Sequence, residues 1–469
     1  MSEPEDTPTT PTGGRRSAVR RVVSPTAVIA VLLPLLTVGA LSLVRPDEQP
    51  EQVARAAEQV EPSRTDLVCP PGEGKDPLDL AAAAGSGGEA ATRVPDEDES
   101  TPVELRQDAV TEVDEQDTVL VRGTGELAAE LIGARSREEG LASTECVLPR
   151  PDYFFTGVGA GANHSSTIEL ANPDQGPAVA DVTVWTSNGP VDVPTLRGVT
   201  VPGGTSESLD LSQVVPRRGE LAVEVVVSRG RLGATVVDEI PEIGREARVA
   251  GWLPASPEPT TDQLLLGLVG GEGEDTLVLS NPGTDEARVE LRVVTEDASF
   301  VPEGLEEVRV RGGSVETVTL STTVRDQVRE GAIGLQVTST GPVTSTLRTV
   351  VDGDLVHAQP VSPTEAATTA LVPSGNAHVV LGRAGGAGVA EVAAYDADGK
   401  RLRKDKVELT DGSGAVVDLP KGTALVRVTP RRTEVAASVV VKGNGATVVP
   451  LRPLVRFGLV PDVRPGLPE

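Results

Sequence analysis

The sequence predicts a mainly β protein, built from tandem immunoglobulin-like β-sandwich domains that follow a single N-terminal transmembrane helix. Short segments rich in valine, which favours strands, alternate with turns supplied by 50 glycines and 38 prolines. A pattern centred on an Asn-Pro pair occurs twice at a separation of 109 residues. An uncharged apolar run near the N-terminus is long enough to cross a bilayer.

Length, charge and composition limit the classes of function. A chain of 469 residues exceeds the usual size of one domain, so we expect several. The formal net charge of -28 repels a phosphate backbone, which argues against nucleic acid as a partner. Aromatic residues make up 2% of the chain, so we expect few platforms for stacking sugars or bases.

The N-terminal segment predicts the compartment. Residues 24–44 form the apolar run, which follows four arginines, Arg15, Arg16, Arg20 and Arg21. The positive-inside rule places a tail of residues 1–23 in the cytoplasm and the bulk of the chain outside the plasma membrane. Residues 45–65 are polar and predict a solvated stalk. The alternative is a signal peptide cleaved near residues 38–40, which would release a secreted chain.

Two cysteines, Cys69 and Cys146, follow the apolar run, and in an oxidising compartment they are expected to form a disulfide. A redox or metal site is disfavoured because CxxC spacing and nearby histidines are lacking. Closing a loop of this length stabilises a fold by roughly 4 to 5 kcal/mol. We therefore expect residues 66–156 to form a bridged module. Its pattern alternates at first and turns helix-like over residues 125–141, which predicts a small mixed module.

The repeated pattern predicts two tandem domains, residues 157–261 and 262–370. Asn172-Pro173 and Asn281-Pro282 lie 109 residues apart, as do the later landmarks Leu211 and Leu320. Each repeat reads as six or seven short strands and closes with a predicted hairpin around a Gly-containing turn. Propeller blades, the rival architecture, have shorter periods of about 40–50 residues.

A third, degenerate repeat is expected over residues 371–469. The segment "HVVLGRAGGAGVAEVAAYDADGKRL" stands where the Asn-Pro strand pair should be, with Gly382-Arg383 in place of Asn-Pro. Terminal repeats often depart from the consensus because one face lacks a neighbour.

Several segments together resemble DUF5719, a family of actinobacterial secreted or membrane-anchored proteins. They are Cys69-Pro70, "CVLPRPDYFFTGVGAGANHSSTIELANP" from Cys146, "GWLPAS" from Gly251, "LVLSNPG" from Leu277 and "VTSTGPVTS" from Val337. The resemblance covers roughly residues 66–460. It implies an extracytoplasmic β architecture and carries over no activity or active-site residue.

The sequence contains no pattern that predicts a catalytic, cofactor-binding or metal-binding residue. The chain has three histidines, His164, His357 and His378, which are far apart and are expected in surface or loop positions. Asp396 and Asp398 precede Gly399 in a predicted hairpin turn, and a weak calcium site is the alternative there.

Two sets of residues are candidates for partner contact. Three of the eight aromatic residues, Tyr153, Phe154 and Phe155, lie between the bridged module and the first repeat, where an interdomain core is the main expectation. Residues 46–150 carry 9 basic and 25 acidic groups, whereas residues 371–469 carry 14 basic and 10 acidic groups. Four of these basic groups share one predicted strand, Arg401, Arg403, Lys404 and Lys406. These four positive charges would prevent another strand from pairing with an open sheet edge. Alternatively, they would contact an anionic envelope polymer or the bridged module, which is acidic and is called the acidic module below.

These observations predict a non-enzymatic, membrane-anchored extracytoplasmic scaffold or interaction protein of the cell envelope. The alternative is a module that binds carbohydrate or an envelope polymer. A glycosidase that uses two carboxylates is a further alternative, but no acidic pair is distinguished by its sequence setting.

Overall fold

The computed structural model describes residues 29, 32–37, 39, 58–83, 85–137, 141–241, 248–269, 275–303, 305–320, 326–327, 331–351, 354–454 and 458–460. By its contacts, the chain divides into two compact units. One is Gln59–Leu459, called the body below, and the other comprises Met1–Glu58 with Val460–Glu469.

The predicted membrane segment is only partly described. Residues 29, 32–37 and 39 are helical, and the side chains of Leu33, Leu35 and Leu36 are exposed. Within the described residues, no helix reaches the length and apolarity that a bilayer span requires. The predicted cytoplasmic tail, the rest of residues 24–44 and the stalk up to residue 57 lie outside the described residues.

The described part of the chain is mainly β, and its strands form four successive domains, which we number I to IV. After β1 (Glu58–Val60), domain I contains β2 Arg64–Cys69, β3 Leu78–Ala82, β4 Gly87–Arg93, β5 Thr101–Arg106, β6 Val110–Val113, β7 Val119–Thr124, β8 Leu131–Ser136 and β9 Ser143–Glu145. Domain II contains β10 Asp152–Gly161, β11 His164–Ala171, β12 Ala178–Thr186, β13 Gly189–Val191, β14 Val199–Val201, β15 Ser206–Asp210, β16 Arg218–Arg229, β17 Gly233–Pro241 and β18 Arg248–Trp252.

The two C-terminal domains hold the remaining strands. Domain III contains β19 Thr260–Leu266, β20 Thr276–Asn281, β21 Ala287–Val294, β22 Ser299–Phe300, β23 Val308–Val310, β24 Ser314–Thr319, β25 Gly334–Val351 and β26 Asp354–Ala358. Domain IV contains β27 Thr368–Leu371, β28 Asn376–Gly382, β29 Gly388–Tyr395, β30 Arg401–Leu409, β31 Ala415–Asp418, β32 Leu425–Arg431, β33 Ala436–Gly443, β34 Gly445–Pro450 and β35 Arg452–Pro453, and β36 (Gly458–Val460) follows it. The described chain also contains the short helices Gly125–Ala129, Pro194–Leu196 and α1 Leu211–Val214.

All four domains share one strand order. In domain I one sheet runs β2-β7-β4-β5 and the other β6-β3-β8-β9. Domain IV repeats this order as β27-β32-β29-β30 and β31-β28-β33-β34. Domain II has β10-β16-β12-β13 and β15-β11-β17-β18, joined into one folded sheet by the β10–β11 pairing. In domain III the long strand β25 supplies its first part to one sheet and its second part to the other.

Domain I is therefore a fourth copy of the repeat, and the prediction of a mixed module with a helix over residues 125–141 was wrong. Among the described residues of this range, the helical part is the short 3-10 helix Gly125–Ala129, and β8 follows it. This strand pairs with β3 on one side and β9 on the other. The pairing overrides the helix propensity of the Ala, Glu and Leu residues in this segment.

The predicted closing hairpins were also wrong. In domain II, β16 pairs with β10 and β12, whereas β17 pairs with β11 and β18. The Gly-containing turn between β16 and β17 carries the chain from one sheet to the opposite sheet. Domain III makes the same crossing within the continuous strand β25.

The predicted domain boundaries shift by a few residues. The strands β10, β19 and β27 run across the boundaries placed at residues 156/157, 261/262 and 370/371. Each of these strands is the first of its domain, so domains II, III and IV begin earlier than the sequence landmarks indicate.

Each domain encloses its own apolar core, and four further apolar clusters join the domains in a cycle. Val68 and Ala171 belong to the cluster between domains I and II, and Trp185 and Val278 to the cluster between II and III. The remaining clusters join III to IV, with Leu266 and Val440 among their members, and IV to I, with Leu371 and Ala81. Domain I thus contacts both its sequence neighbour and the last domain.

Candidate functional site

The two cysteines are bonded as predicted. Cys69, the last residue of β2, and Cys146, just after β9, are joined with an S–S distance of 2.03 Å. The neighbouring Gly133 on β8 has to be small, because a Cβ there would lie 2.8 Å from the Cys146 Sγ. The disulfide links the first strand of domain I to its last strand.

The aromatic triplet divides between two cores along β10. Tyr153 and Phe155 are each 1% exposed and pack in the core of domain II, and Phe154 packs on the cluster between domains II and III. The Tyr153 hydroxyl donates to the main-chain oxygens of Leu148 and Leu232, at 2.8 and 2.9 Å. Burial raises its pKa to about 12. Only Phe154 therefore contacts an interdomain core, and that core joins domains II and III, whereas the prediction placed it between the bridged module and the first repeat. Tyr153 and Phe155 are not placed for partner contact.

The four basic residues lie on β30, which is an edge strand of its sheet. Arg401, Arg403, Lys404 and Lys406 are all exposed. Lys404 Nζ lies 3.1 Å from a Glu391 carboxylate oxygen, and Arg403 Nε lies 2.7 Å from an Asp405 carboxylate oxygen. Within the described residues, the ion pairs of these four groups stay inside domain IV, so the contact with the acidic module is not seen.

A buried polar cluster joins domains II and III, and no sequence pattern signalled it. The carboxylate of Asp238 on β17 accepts a hydrogen bond from His164 Nε2 at 2.8 Å and from His357 Nε2 at 3.1 Å. Ser166 donates its hydroxyl to the same carboxylate. Asp238 is 0% exposed, and His164 and His357 are 7% and 5% exposed. Surface or loop positions were therefore wrong for these two histidines, whereas His378 is half-buried on β28.

The cluster continues toward the surface through a second carboxylate. His164 Nδ1 donates to Glu220 Oε1 at 3.2 Å, and Arg348 Nη2 of domain III donates to the same oxygen at 2.6 Å. Burial lowers the pKa of His164, but the Asp238 carboxylate opposes this, and the net pKa is raised to about 9. Burial raises the pKa of Asp238, but His164 and His357 hold it well below its usual range.

The geometry of this cluster favours a structural role. In a Ser-His-Asp triad the serine donates to the histidine, whereas Ser166 donates to Asp238 and accepts from the Gly159 amide at 2.8 Å. Across the described ranges, no group of three or more His, Cys, Asp or Glu side chains could hold a metal ion. The cluster binds β11, β16 and β17 of domain II to β25 and β26 of domain III.

A cavity of about 180 Å³ lies where domains I, II and IV meet. Its wall is mainly apolar and includes Leu67 of domain I, Pro254 of domain II and Val448 of domain IV. The polar lining includes Arg150 and Thr369. No sequence pattern signalled this cavity, because its residues come from three separate parts of the chain.

A family of unknown function, DUF5719, matches residues 106–420, more than half of the chain. The chain belongs to the DUF5719 family. The match begins at the last residue of β5 in domain I and ends in domain IV, after β31. Membership in DUF5719 brings no activity and no site residue with it. Among the curated proteins, none matches the chain.

Proposed function

We propose that this chain is a non-enzymatic interaction scaffold of the cell envelope, anchored by residues 24–44 and with its bulk outside the cytoplasm. The Cys69–Cys146 disulfide supports the compartment, because such bonds persist in oxidising surroundings and are rare in the cytosol. The uncharged apolar run supports the anchor, and the arginines before it support the orientation.

The contacts between domains support a scaffold. An ion pair accompanies the apolar cluster at each interface: Asp66 with Arg231 between I and II, Glu220 with Arg348 between II and III, Asp262 with Arg383 between III and IV, and Asp108 with Arg427 between IV and I. Buried apolar contact combined with paired charges favours one fixed arrangement of domains.

The finer fold class that we propose is an immunoglobulin-like sandwich with one exchange of strands. In domains I and IV the second and fifth strands pair in one sheet, and the third and sixth pair in the other, as in immunoglobulin domains. Domains II and III keep this arrangement with one additional short strand each, β14 and β23, which pairs with the third strand. The first and seventh strands are exchanged between the sheets: in domain I, β2 pairs with β7, and β8 pairs with β3.

The observation that carries the interaction role is the basic edge strand β30. Its outer edge pairs with no other described strand, and Arg401, Arg403, Lys404 and Lys406 stand exposed along it. An open edge can accept an added strand from a partner, and the charges favour an acidic one. We therefore propose an acidic protein segment of the envelope as the partner of β30.

Proximity labelling from the full-length chain in the native envelope tests this function. Replacing all four basic residues of β30 by glutamine should remove a discrete set of labelled proteins. A matched control replaces four exposed arginines elsewhere by glutamine, namely Arg197, Arg229, Arg288 and Arg309, and should leave the labelling unchanged. Equal labelling by the two variants would contradict the role of β30.

The anchor is tested separately. Membranes should retain the full-length chain, and a protease added outside the cell should remove an epitope tag placed after Glu469. Mature chain in the medium that starts near Leu41 would show instead that the apolar segment is cleaved.

A further inference from the structure

The cavity between domains I, II and IV has the size of a small-molecule site. Its volume of about 180 Å³ is close to that of an apolar cavity of ~150 Å³ that holds one benzene molecule. Three domains supply its mainly apolar wall, and its position is therefore fixed by their packing. An occupant with an apolar body of about six carbon atoms fits this space.

One residue of the cavity wall carries a buried hydroxyl that has no partner among the described residues. Thr369 on β27 is 3% exposed, and its Oγ1 forms no hydrogen bond with any described part of the chain. The neighbouring Thr368 is equally buried and also lacks a partner for its Oγ1, but successive side chains on a strand face opposite ways, and only Thr369 lines the cavity. A buried hydroxyl without a partner costs free energy, and an occupant that bonds to it would recover that cost.

The charges in the wall favour an anion. Glu145, Arg150 and Arg452 are the charged lining residues, and Arg452 Nε donates to Glu145 Oε2 at 2.9 Å. This pair is neutral overall, which leaves the charge of Arg150. The guanidinium of Arg150 lies over the Tyr153 ring, 4.7 Å from its centroid, and forms no ion pair with a described carboxylate.

We propose that this cavity binds a small monocarboxylate with a short apolar chain or a single ring. The apolar body fills the space between the three domains, Arg150 supplies the positive charge, and Thr369 supplies a hydrogen-bond donor. The site is separate from β30, so its occupancy does not depend on the function proposed for that strand.

Hexanoate, 1-hexanol and hexylamine, which share one apolar chain, test the charge preference. Each is titrated into the full-length chain in lipid nanodiscs, with empty nanodiscs as the reference, and binding is followed by calorimetry and by the melting temperature. Hexanoate should bind most tightly and raise the melting temperature, and hexylamine should have no effect. Binding of none of the three, or the same affinity for all three, would overturn the proposal.

Two neighbouring threonines provide a matched pair of variants. Thr369→Val and Thr368→Val each remove one unpaired buried hydroxyl, so both should raise the melting temperature of the free protein. Thr369→Val should weaken hexanoate binding about tenfold, as expected for one lost hydrogen bond, whereas Thr368→Val should leave it unchanged. If both variants bind hexanoate as the native chain does, the assigned role of Thr369 is wrong.

Arg150→Gln tests the charge directly. It should reduce the affinity for hexanoate to that for 1-hexanol, without changing the affinity for 1-hexanol itself. A preference for hexanoate that survives this substitution would overturn the role of Arg150. If the variant does not fold, the comparison of hexanoate with hexylamine on the native chain decides.

Discussion

At the scale of single residues, the repeated asparagines close the turns that follow their strands. Asn281 is 2% exposed, and its Nδ2 donates to the main-chain oxygens of Asp285 at 2.8 Å and Val310 at 3.0 Å. Its Oδ1 accepts from the Gly283 amide at 3.0 Å. Asn172 forms the equivalent three bonds in domain II, with Gly176, Val201 and Asp174. The repetition is therefore explained by backbone hydrogen bonding.

We expect Asn281→Ala to lower the free energy of unfolding by about 2 kcal/mol, because it leaves buried main-chain groups without partners. Chemical denaturation of the full-length chain would measure this loss, and Asn172→Ala should show a similar one. Asn188→Ala, at an exposed asparagine, is the control and should have no measurable effect. Unchanged stability of Asn281→Ala would mean that the turn does not depend on this side chain.

The buried histidine predicts a pH dependence. The pKa of His164 is raised to about 9 in the folded chain, whereas the usual value is 6.5. The stabilisation from its protonated form is therefore complete below about pH 6.5 and is lost as the pH rises through about 9. We expect a loss on the order of 3 kcal/mol across this interval.

Urea unfolding at pH 6 and at pH 9 would measure the loss. His164→Gln should be less stable at pH 6 and should flatten the alkaline decline, because the titrating group is gone. His378→Gln should leave the decline in place, since burial lowers the pKa of His378 and its contribution has the opposite sign. An alkaline decline unaffected by His164→Gln would exclude His164 as its source.

At the scale of elements, each domain depends on a chain crossing between its two sheets. The strands on either side of the crossing, β7 and β8 in domain I, pair in opposite sheets with β2 and β3. In domain III the crossing occurs inside β25, which spans 18 residues without a break. A local pattern of two apolar segments around a turn is the same for a hairpin and for a crossing, so only the pairing partners distinguish them.

The disulfide stabilises domain I at this scale. We expect the double substitution Cys69→Ala with Cys146→Ala to lower the free energy of unfolding of domain I by about 4 kcal/mol, as for a loop of 77 residues. Limited proteolysis followed by mass spectrometry should then find new cleavage sites in residues 64–145 before any appear in domain III. The native chain treated with a reducing agent should give the same sites. Alkylation of both cysteines in the unreduced native chain would refute the bond.

At the scale of the whole body, one carboxylate connects three domains. Asp354 on β26 of domain III accepts from the Leu141 amide of domain I at 2.7 Å and from the Ala446 amide of domain IV at 3.2 Å. It is 3% exposed. One strand from each domain takes part in a cycle of contacts, in the order β9, β18, β26 and β34. Unfolding of one domain therefore exposes the interfaces of its neighbours.

We expect Asp354→Ala to lower the free energy of unfolding by about 3 kcal/mol, because two buried amides lose their acceptor. Asp354→Asn keeps an oxygen acceptor and should cost less. Calorimetry of the full-length chain should show one main transition for the native body and a broader or split one for Asp354→Ala. The exposed Asp192→Ala is the control; an equal effect of Asp192→Ala and Asp354→Ala would contradict the connecting role.

Much of the fold follows from local patterns. The spacing of Asn172 and Asn281, the Gly and Pro turns and the alternation of valines predicted tandem β domains, and two cysteines predicted one disulfide. Strand period and turn chemistry could be predicted because they are properties of short segments of sequence. The disulfide could be predicted because the chain has two cysteines, which allow one pairing within the chain. The family resemblance was confirmed over a shorter range, residues 106–420.

Long-range pairing could not be predicted in the same way. Domain I proved to be a fourth copy of the repeat although its sequence lacks the Asn-Pro landmark, because several sequences can satisfy one pattern of strand partners. The Asp238 cluster and the cavity beside Thr369 draw on residues separated by more than a hundred positions. The sequence by itself determined that the described chain is made of β domains with one disulfide. The tertiary structure decided which strands pair, which polar groups are buried together and where domains meet, because each depends on packing between distant segments.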